Sequence, residues 1–413
     1  MVTQNIVYAH SGGVTSVLNT TASSLITTAR KHQLPTLIAQ NGILGLIHNK
    51  LYRTDNLSSQ DLERLAQTPS SVFGSCRHKL PHHHDDPRAW DGFFNTIAQH
   101  NIDCIIYQGG NDSQDTSVKI LEAATQRQIA LKCYGIPKTI DNDLYGTDFS
   151  PGFPSCAKYL CTSIAEASLD TRAMCKSSTK VFIMEVMGRH TGWLALATAM
   201  ASRQQQQGPH IILTPEHPVD VQQWLEYTDH LVKELGYCVI VASEGIINSA
   251  TGNRLTETKQ TDAFGHGQLG GVGAQLAQWI NTHLNYKTHY AIPDYLQRSA
   301  GHLRAAIDVY LAKQLGQRAI ELVQEQADSC LLGLQRSEGD WHIIPTSLHT
   351  CANREKPVPL EYFSDNKMHI SALGREYFEP LITGEVYPTY YQGLPEYFDA
   401  SQLHYQQQPQ PII

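Results

Sequence analysis

Three apolar runs early in the chain each close on a polar, glycine-bearing turn, and few folds accommodate that pattern. Asn5 to Ala9 ends in His10-Ser11-Gly12-Gly13. Ile102 to Gln108 ends in Gly109-Gly110-Asn111-Asp112-Ser113. Ala130 to Tyr134 runs into Gly135-Ile136-Pro137-Lys138-Thr139-Ile140-Asp141-Asn142-Asp143. Helical periodicity follows the first turn from Val14 to His32, with Val17, Leu18, Ala22, Leu25 and Ile26 on one side, and the second from Val118 to Gln126. Strands alternating with helices predict an α/β fold with mostly parallel sheets. In such a sheet the loops after the strands gather at the carboxyl edge, where ligands bind. A helix start beside a glycine turn also offers free backbone N–H groups to an anion. A tight connection without any ligand has the same appearance in sequence.

The alternation continues. Ser155 to Thr171 reads as a helix, and Lys180 to Val186 as a strand ending in Met187-Gly188-Arg189-His190-Thr191-Gly192. Trp193 to Arg203 reads as a helix, and His210 to Leu213 and Tyr237 to Ala242 as strands, the latter ending in Ser243-Glu244-Gly245. Gly270-Gly271-Val272-Gly273 opens a helix, but no apolar strand precedes it, so close helix packing explains its glycines better than a dinucleotide. A long helix is expected from Ala300 to about Gln326. The two β/α halves predict two similar three-layer lobes with a cleft between them. The first takes in 1–150 and about 299–328, the second 151–298, and 329–413 is an extension wrapped over both.

Composition narrows the function classes. A 413-residue chain with 41% hydrophobic and 17% charged residues reads as soluble and globular. A formal charge of -8 argues against nucleic acid as the main partner, while leaving room for small phosphorylated ligands held by local cations. No apolar run is long enough to span a bilayer and no signal-peptide pattern opens the sequence, so no membrane partner is expected. Nine cysteines without paired metal spacing fit a reducing cytoplasm. The run Pro81-His82-His83-His84-Asp85-Asp86-Pro87 lacks the spacing of a zinc site and reads as a solvated loop.

The turns carry the residue types of phosphoryl transfer. Arg77, Lys138 and Arg189 each follow or lie within a glycine-bearing turn. Arginine suits bidentate phosphate binding, and lysine acts as a mobile point charge. Asp141 and Asp143 stand two apart, so an extended segment would turn both the same way. One could deprotonate a hydroxyl while the other helps hold Mg²⁺. A base, a metal and cations on the transferring group are what in-line transfer needs. Taken singly, each of these side chains is equally at home in a surface ion pair or a polar turn.

Taken together, the marker segments resemble the phosphofructokinase family, from about Asn5 to Val323 and closer to its pyrophosphate-dependent branch. They are Ser11-Gly12-Gly13, Gly74-Ser75-Cys76-Arg77, Gly109 to Ser113, Pro137 to Asp143, Met187-Gly188-Arg189, Ser243-Glu244-Gly245 and Tyr295-Leu296-Gln297-Arg298, in family order. The resemblance implies that Asp141 is the general base toward a sugar C1 hydroxyl and Thr139 a hydroxyl beside the transferring group. It implies that Arg77 and Arg189 stabilise that group, that Gly13 contacts the donor, and that Asp143, with Asn111, faces Mg²⁺. Met187, Gly188, Glu244, Tyr295 and Arg298 match the sugar-phosphate site, with Thr139, Asp141 and Arg189 reaching the same substrate. Family members that use ATP resemble one another in having glycine where this chain has Asp112 and Lys138. A carboxylate there would repel an α-phosphate by about 1–4 kcal/mol. Both residues therefore point to pyrophosphate as donor.

The expected activity is reversible, Mg²⁺-dependent transfer from pyrophosphate to fructose 6-phosphate, with sedoheptulose 7-phosphate as a related acceptor. An ATP-dependent kinase and a catalytically silent regulatory subunit of the same family are the alternatives. A cytoplasmic homo-oligomer, preferably a dimer, goes with the resemblance. Departures from the family pattern are Asn111 in place of a metal-facing Asp, His289 and Lys180 near positions where arginines reach the sugar phosphate, and Val14-Thr15-Ser16-Val17 in place of Pro-Gly.

Overall fold

A computed structural model describes residues 5–204, 206–256, 270–352 and 354–406. The strands are β1 (Asn5–His10), β2 (Thr36–Ala39), β3 (Leu51–Arg53), β4 (Ile102–Gly109), β5 (Lys132–Pro137), β6 (Val181–Val186), β7 (Ile211–Leu213), β8 (Cys238–Ser243), β9 (Thr288–Ala291), β10 (Arg304–Ala305), β11 (Cys330–Ser337) and β12 (Asp340–Thr346). Seven of them form one sheet in the order β12-β11-β5-β4-β1-β2-β3, parallel except at its two edges. Four form a second, fully parallel sheet in the order β7-β8-β6-β9. This is the two-sheet α/β architecture the alternating pattern predicts.

Apolar periodicity explains how the helices lie on the sheets. Leu18, Ala22, Leu25, Ile26 and Ala29 are buried on one stripe of the helix Leu18–Lys31. That helix packs against Ala306–Gln324 so closely that a Cβ on Gly316 would lie 2.4 Å from the Thr21 carbonyl oxygen. Beneath them Tyr8, Ile106 and Tyr134 fill the core between β1, β4 and β5.

Register decides which loops meet. His10 pairs with Gln108, and Gly109 with Pro137, so the ends of β1, β4 and β5 are level. In the second sheet Val186 pairs with Ser243, which sets Met187-Gly188-Arg189 beside Glu244.

Several boundaries differ from expectation. The first helix begins at Leu18, not Val14, and β5 runs on to Pro137 rather than ending at Tyr134. The second helix begins at Asn111, not Val118, so Asn111, Asp112 and Ser113 form its first turn instead of a loop. Short polar side chains suit that position, where backbone N–H groups lack intrahelical partners and negative charge is favoured. The helix from Trp193 ends at Ala197 and tightens into a 3₁₀ turn, Thr198–Ala201. The long late helix begins at Ala306, because Arg304 and Ala305 pair as strand with Val386 and Glu385.

The boundary expected at 329 falls inside the first sheet. The apolar stretch Cys330-Leu331-Leu332-Gly333-Leu334 is buried and pairs in parallel with β5, through Cys330 with Tyr134 and Leu331 with Gly135. Only the later residues wrap, including the helix Ala372–Ile382. Among the described residues no helix is long and apolar enough to cross a membrane.

The helix Phe153–Met174 starts without a side-chain cap of its own. Its first turn is held by Asp308, whose carboxylate accepts from the Gly152 N–H at 2.9 Å, the Ser155 N–H at 3.1 Å and the Ser155 hydroxyl at 2.6 Å. Gly152 in turn bridges Thr139 of the loop that follows β5. Asp308→Ala would strand three buried donors and should cost about 3 kcal/mol. The denaturant midpoint of the variant checks this, and an unchanged midpoint would contradict the assignment.

Candidate active site

The site begins with a buried lysine. The Lys138 side chain is drawn inside by the short loop after β5, where its own N–H donates to the Gly109 carbonyl at 3.2 Å. Its ammonium lies under Gly12, 3.2 Å from where a Cβ would sit. Gly12 has φ +82, so it supplies both the left-handed turn and the room for the cation. Burial pushes the Lys138 pKa down to about 8, against the pull of Asp141 and Asp143 and with help from Arg298 and Arg77. Those five side chains therefore share one electrostatic neighbourhood.

Asp141 sits beside it. Its carboxylate accepts from the Thr139 hydroxyl at 3.1 Å, and its N–H donates back to that hydroxyl at 3.1 Å. This reciprocal pair fixes the carboxylate's direction. Burial raises the Asp141 pKa, opposed by the Thr139 bond and by Lys138, Arg189 and Arg298. The Thr191 hydroxyl reaches the Asp141 carbonyl at 3.4 Å, which ties the loop to the second lobe.

Asp143 accepts from the Asn111 amide at 3.2 Å. Burial, Asp141 and Glu355 together push its carboxyl up to about 7. Among the described residues no three His, Cys, Asp or Glu groups are spaced to hold a metal unaided. The crowding of Asp143 by two further carboxylates nevertheless suits a divalent cation, whose charge would relieve their repulsion while phosphate oxygens and water completed its shell. Asp112 presents its carboxylate in the same helical first turn as Asn111.

The second lobe supplies the facing wall. Gly188 has φ +145, and a Cβ there would lie 2.6 Å from both the Ser243 hydroxyl and the Thr191 carbonyl oxygen. Only glycine lets Met187-Gly188-Arg189 pass so close to β8. The Gly188 N–H donates to Glu244 at 3.4 Å, and the Met187 N–H donates to Gln297 at 3.3 Å. Burial first, then Asp141, pushes Glu244 up to about 7, while Arg189 pulls it down. Arg298 stacks its guanidinium 3.9 Å from the centre of the Tyr295 ring and comes within 3.7 Å of the Cβ position of Gly13. Arg77 is exposed, on a segment fastened to Gly12 through the Ser75 hydroxyl at 2.7 Å and the Cys76 carbonyl at 3.0 Å.

Lys138, Thr139, Asp141 and Asp143 thus share one loop, with Asn111, Arg77, Arg189, Arg298 and Glu244 near enough to act on it, whereas Lys180 immediately precedes β6 and His289 lies within β9. Others were not singled out. His10 is buried below Lys138, pushed down to about 3 by burial and by that cation, with its Nε2 2.6 Å from the Ser71 hydroxyl. Glu185 accepts from Gly271 at 3.1 Å and Gly273 at 2.8 Å, so the Gly270–Gly273 turn cradles a carboxylate as well as packing a helix start. Glu355 and Lys356 come from far down the chain, and no local signal marks them. The His82–His84 run carries exposed or half-exposed side chains on the outer face, where His83 meets Gln126 and Arg127.

A family model described as Phosphofructokinase matches residues 5–323. The chain is 42% identical to the pyrophosphate–fructose 6-phosphate 1-phosphotransferase of Xanthomonas campestris pv. campestris, over 96% of each chain. It is 40% identical to the protein of the same name from Methylococcus capsulatus, again over 96% of each. The crystal structure of a pyrophosphate-dependent phosphofructokinase from Marinobacter aquaeolei superposes with a TM-score of 0.88 at 39% identity, covering 98% of this chain and 97% of that one.

The raised Glu244 carboxyl has a consequence for stability. The folded chain holds that proton more tightly than the unfolded chain, so stability falls as pH rises from the ordinary glutamate range through about 7. Glu244→Gln should therefore melt higher than wild type at about pH 8 and match it at about pH 5. A gap of equal size at both pH values would contradict the burial of this charge.

Proposed function

The chain belongs to the phosphofructokinase family, and on that premise we propose that it transfers a phosphoryl group between pyrophosphate and the C1 hydroxyl of fructose 6-phosphate, with Mg²⁺, in either direction. The observation that carries this reading is the buried Lys138 ammonium beneath Gly12, in one electrostatic neighbourhood with Asp141 and Asp143. A short cation sealed at that depth suits a small, highly charged donor.

The residues divide the work. Asp141, oriented by Thr139, accepts the C1 proton as the sugar oxygen forms its bond to phosphorus and the bridging P–O bond breaks. The electron pair leaves on the departing phosphate, whose charge Lys138 meets. Arg189 and Arg77 face the transferring group from opposite lobes. Glu244 accepts sugar hydroxyls, while Tyr295 and Arg298 hold the sugar's 6-phosphate with Met187 and Gly188 at its back. Gly13 lets the donor approach the backbone, and Asp112 excludes an α-phosphate. Mg²⁺, held by Asp143 with Asn111 and the donor's own oxygens, would supply charge neutralisation.

Two coarser features go with this reading. β9 is an edge strand, and Tyr290, Ile292, Tyr295 and Leu296 are exposed there beside the sugar-phosphate residues, which suits coverage by a second copy in a homodimer. All nine cysteines are free, as expected of a cytoplasmic enzyme.

Purified protein should turn over with pyrophosphate and not with ATP; the reverse result would sink the donor assignment, and silence with both would sink the enzyme reading. Asp141→Ala should lower kcat by about 10³-fold, within the range for a lost general base, while calorimetric binding of fructose 6-phosphate stays nearly unchanged. Near-normal turnover would remove Asp141 from that role. The double variant Asp112→Gly with Lys138→Gly should weaken apparent pyrophosphate affinity by about ten- to a hundredfold, as loss of a charge-assisted contact of roughly 1.5–3 kcal/mol predicts. An unchanged KM for pyrophosphate would count against both residues.

A further inference from the structure

The loop that carries Asp141 and Asp143 is shaped from outside the region the family model matches. Between Asp143 and Asp148, three backbone carbonyls accept from residues after 350. The Lys356 N–H donates to the Asp143 carbonyl at 2.7 Å. The Lys356 ammonium donates to the carbonyls of Thr147 and Asp148, both at 2.8 Å. The Tyr377 hydroxyl donates to the Asp148 carbonyl at 2.7 Å and accepts from the Asn142 amide at 2.9 Å. Glu355 adds an antiparallel bridge to Leu144.

Asn142 is the joint of this arrangement. It lies between the two aspartates, is fully buried and has φ +56, a conformation that asparagine tolerates better than most residues. Its side-chain oxygen accepts from the Ser150 N–H at 3.0 Å, closing the loop on itself, while its amide goes to Tyr377. Rotating Asn142 would rotate both aspartates.

The same late segment grips the second lobe. Trp193 donates its indole N–H to the Lys356 carbonyl at 2.9 Å, and the Lys356 ammonium lies 5.1 Å from the Trp193 ring centre. Glu216 accepts at one oxygen from both the Gly192 N–H at 2.9 Å and the Val358 N–H at 3.1 Å. Gly192 follows closely on Arg189, so one short stretch of chain touches the carriers of Asp141, Asp143 and Arg189.

We propose that Lys356 and Tyr377 are positioning residues for phosphoryl transfer: through the Asp143, Thr147 and Asp148 carbonyls and the Asn142 amide they hold Asp141 and Asp143 at the angle and distance the reaction needs. The proposal rests on the phosphotransfer reading above. It assigns the segment 354–377, beyond the matched residues 5–323, a part in catalysis without contact to any substrate. The physical ground is that a loop whose carbonyls find donors only outside it has no fixed shape unless those donors are supplied, and misplacement by about 1 Å costs on the order of a hundredfold in rate.

The test separates positioning from general stability. Tyr377→Phe keeps the ring packing and removes the hydroxyl; Lys356→Met keeps the stem and removes the charge. Arg375→Ala is the control, since Arg375 is on the same helix as Tyr377 but donates to the Ser202 carbonyl at 2.8 Å instead. Tyr377→Phe and Lys356→Met should each lower kcat by about tenfold or more, with KM for fructose 6-phosphate and pyrophosphate within about twofold. Lys356→Arg, which keeps the donors, should retain more kcat than Lys356→Met, and Arg375→Ala should stay within about twofold of wild type. Hydrogen exchange of amides 142–150 should quicken in the first two variants and not in the control. Retention of kcat in folded Tyr377→Phe and Lys356→Met, or an equal loss in Arg375→Ala, would overturn the proposal. Should the wild-type chain prove inactive with pyrophosphate, the reaction reading fails on its own. The exchange data would still decide the positioning claim, unchanged protection at 142–150 overturning it and faster exchange supporting it.

Discussion

A buried lysine and two half-buried aspartates within a few residues of one another set the terms for the whole cleft. Removing an ion from water costs several kcal/mol even after relaxation, and a mutual attraction of about 1–4 kcal/mol per close pair does not cancel it alone. Burial is accordingly the largest influence on Lys138, Asp141, Asp143 and Glu244 alike. The result is a set of groups drawn toward neutrality, with Lys138 at about 8 and Asp143 and Glu244 at about 7. Side chains whose charge is so weakly held are the ones a polyanionic substrate or a divalent cation can recharge on binding. The cluster makes sense as a receptor for charge that arrives with the ligand.

Such a cluster needs a rigid frame, and the frame is mostly backbone. Level strand ends in the first sheet bring the turns at Gly12, Gly109 and Lys138 to one edge, and the pairing of Val186 with Ser243 does the same for Gly188 and Glu244. Glycine is required where backbone or a cation must come closer than a Cβ permits, at Gly12 over Lys138 and at Gly188 against Ser243. Asp308 and Glu216 act from below and from the side. Glu216 gathers N–H groups from two separate segments, at Gly192 and Val358, and Asp308 ties its own helix to the Gly152–Ser155 turn, so each fixes a distance between parts of the chain that share no strand.

The local parts of this design were legible in the sequence. Asp141 and Thr139 interact across two residues of a loop the sequence had already singled out, although Thr139 was marked there by the resemblance and not by spacing. The position of the glycine turns after apolar strands predicted the edge they share. Asn111 and Asp112 were placed in the right neighbourhood but the wrong element, because the helix start lay seven residues earlier than the apolar periodicity first shows. The late strands β11 and β12 escaped notice as members of the first sheet. Their apolar run is short, and its partner β5 lies almost two hundred residues back. Periodicity reports which face of an element is buried, not which distant element buries it.

What the sequence determined by itself was the alternation of strand and helix, the chemical inventory of the turns, and the placing of Lys138, Thr139, Asp141 and Asp143 on one loop, since all of these depend on neighbours a few residues apart. The tertiary structure alone decided how deeply Lys138 lies, how far burial shifts Asp143 and Glu244, and which distant residues hold the loop's carbonyls. Desolvation depends on everything packed around a charge, and a carbonyl accepts from whichever donor the fold delivers. Lys356 reaches Thr147 from more than two hundred residues away, a contact that no local spacing encodes.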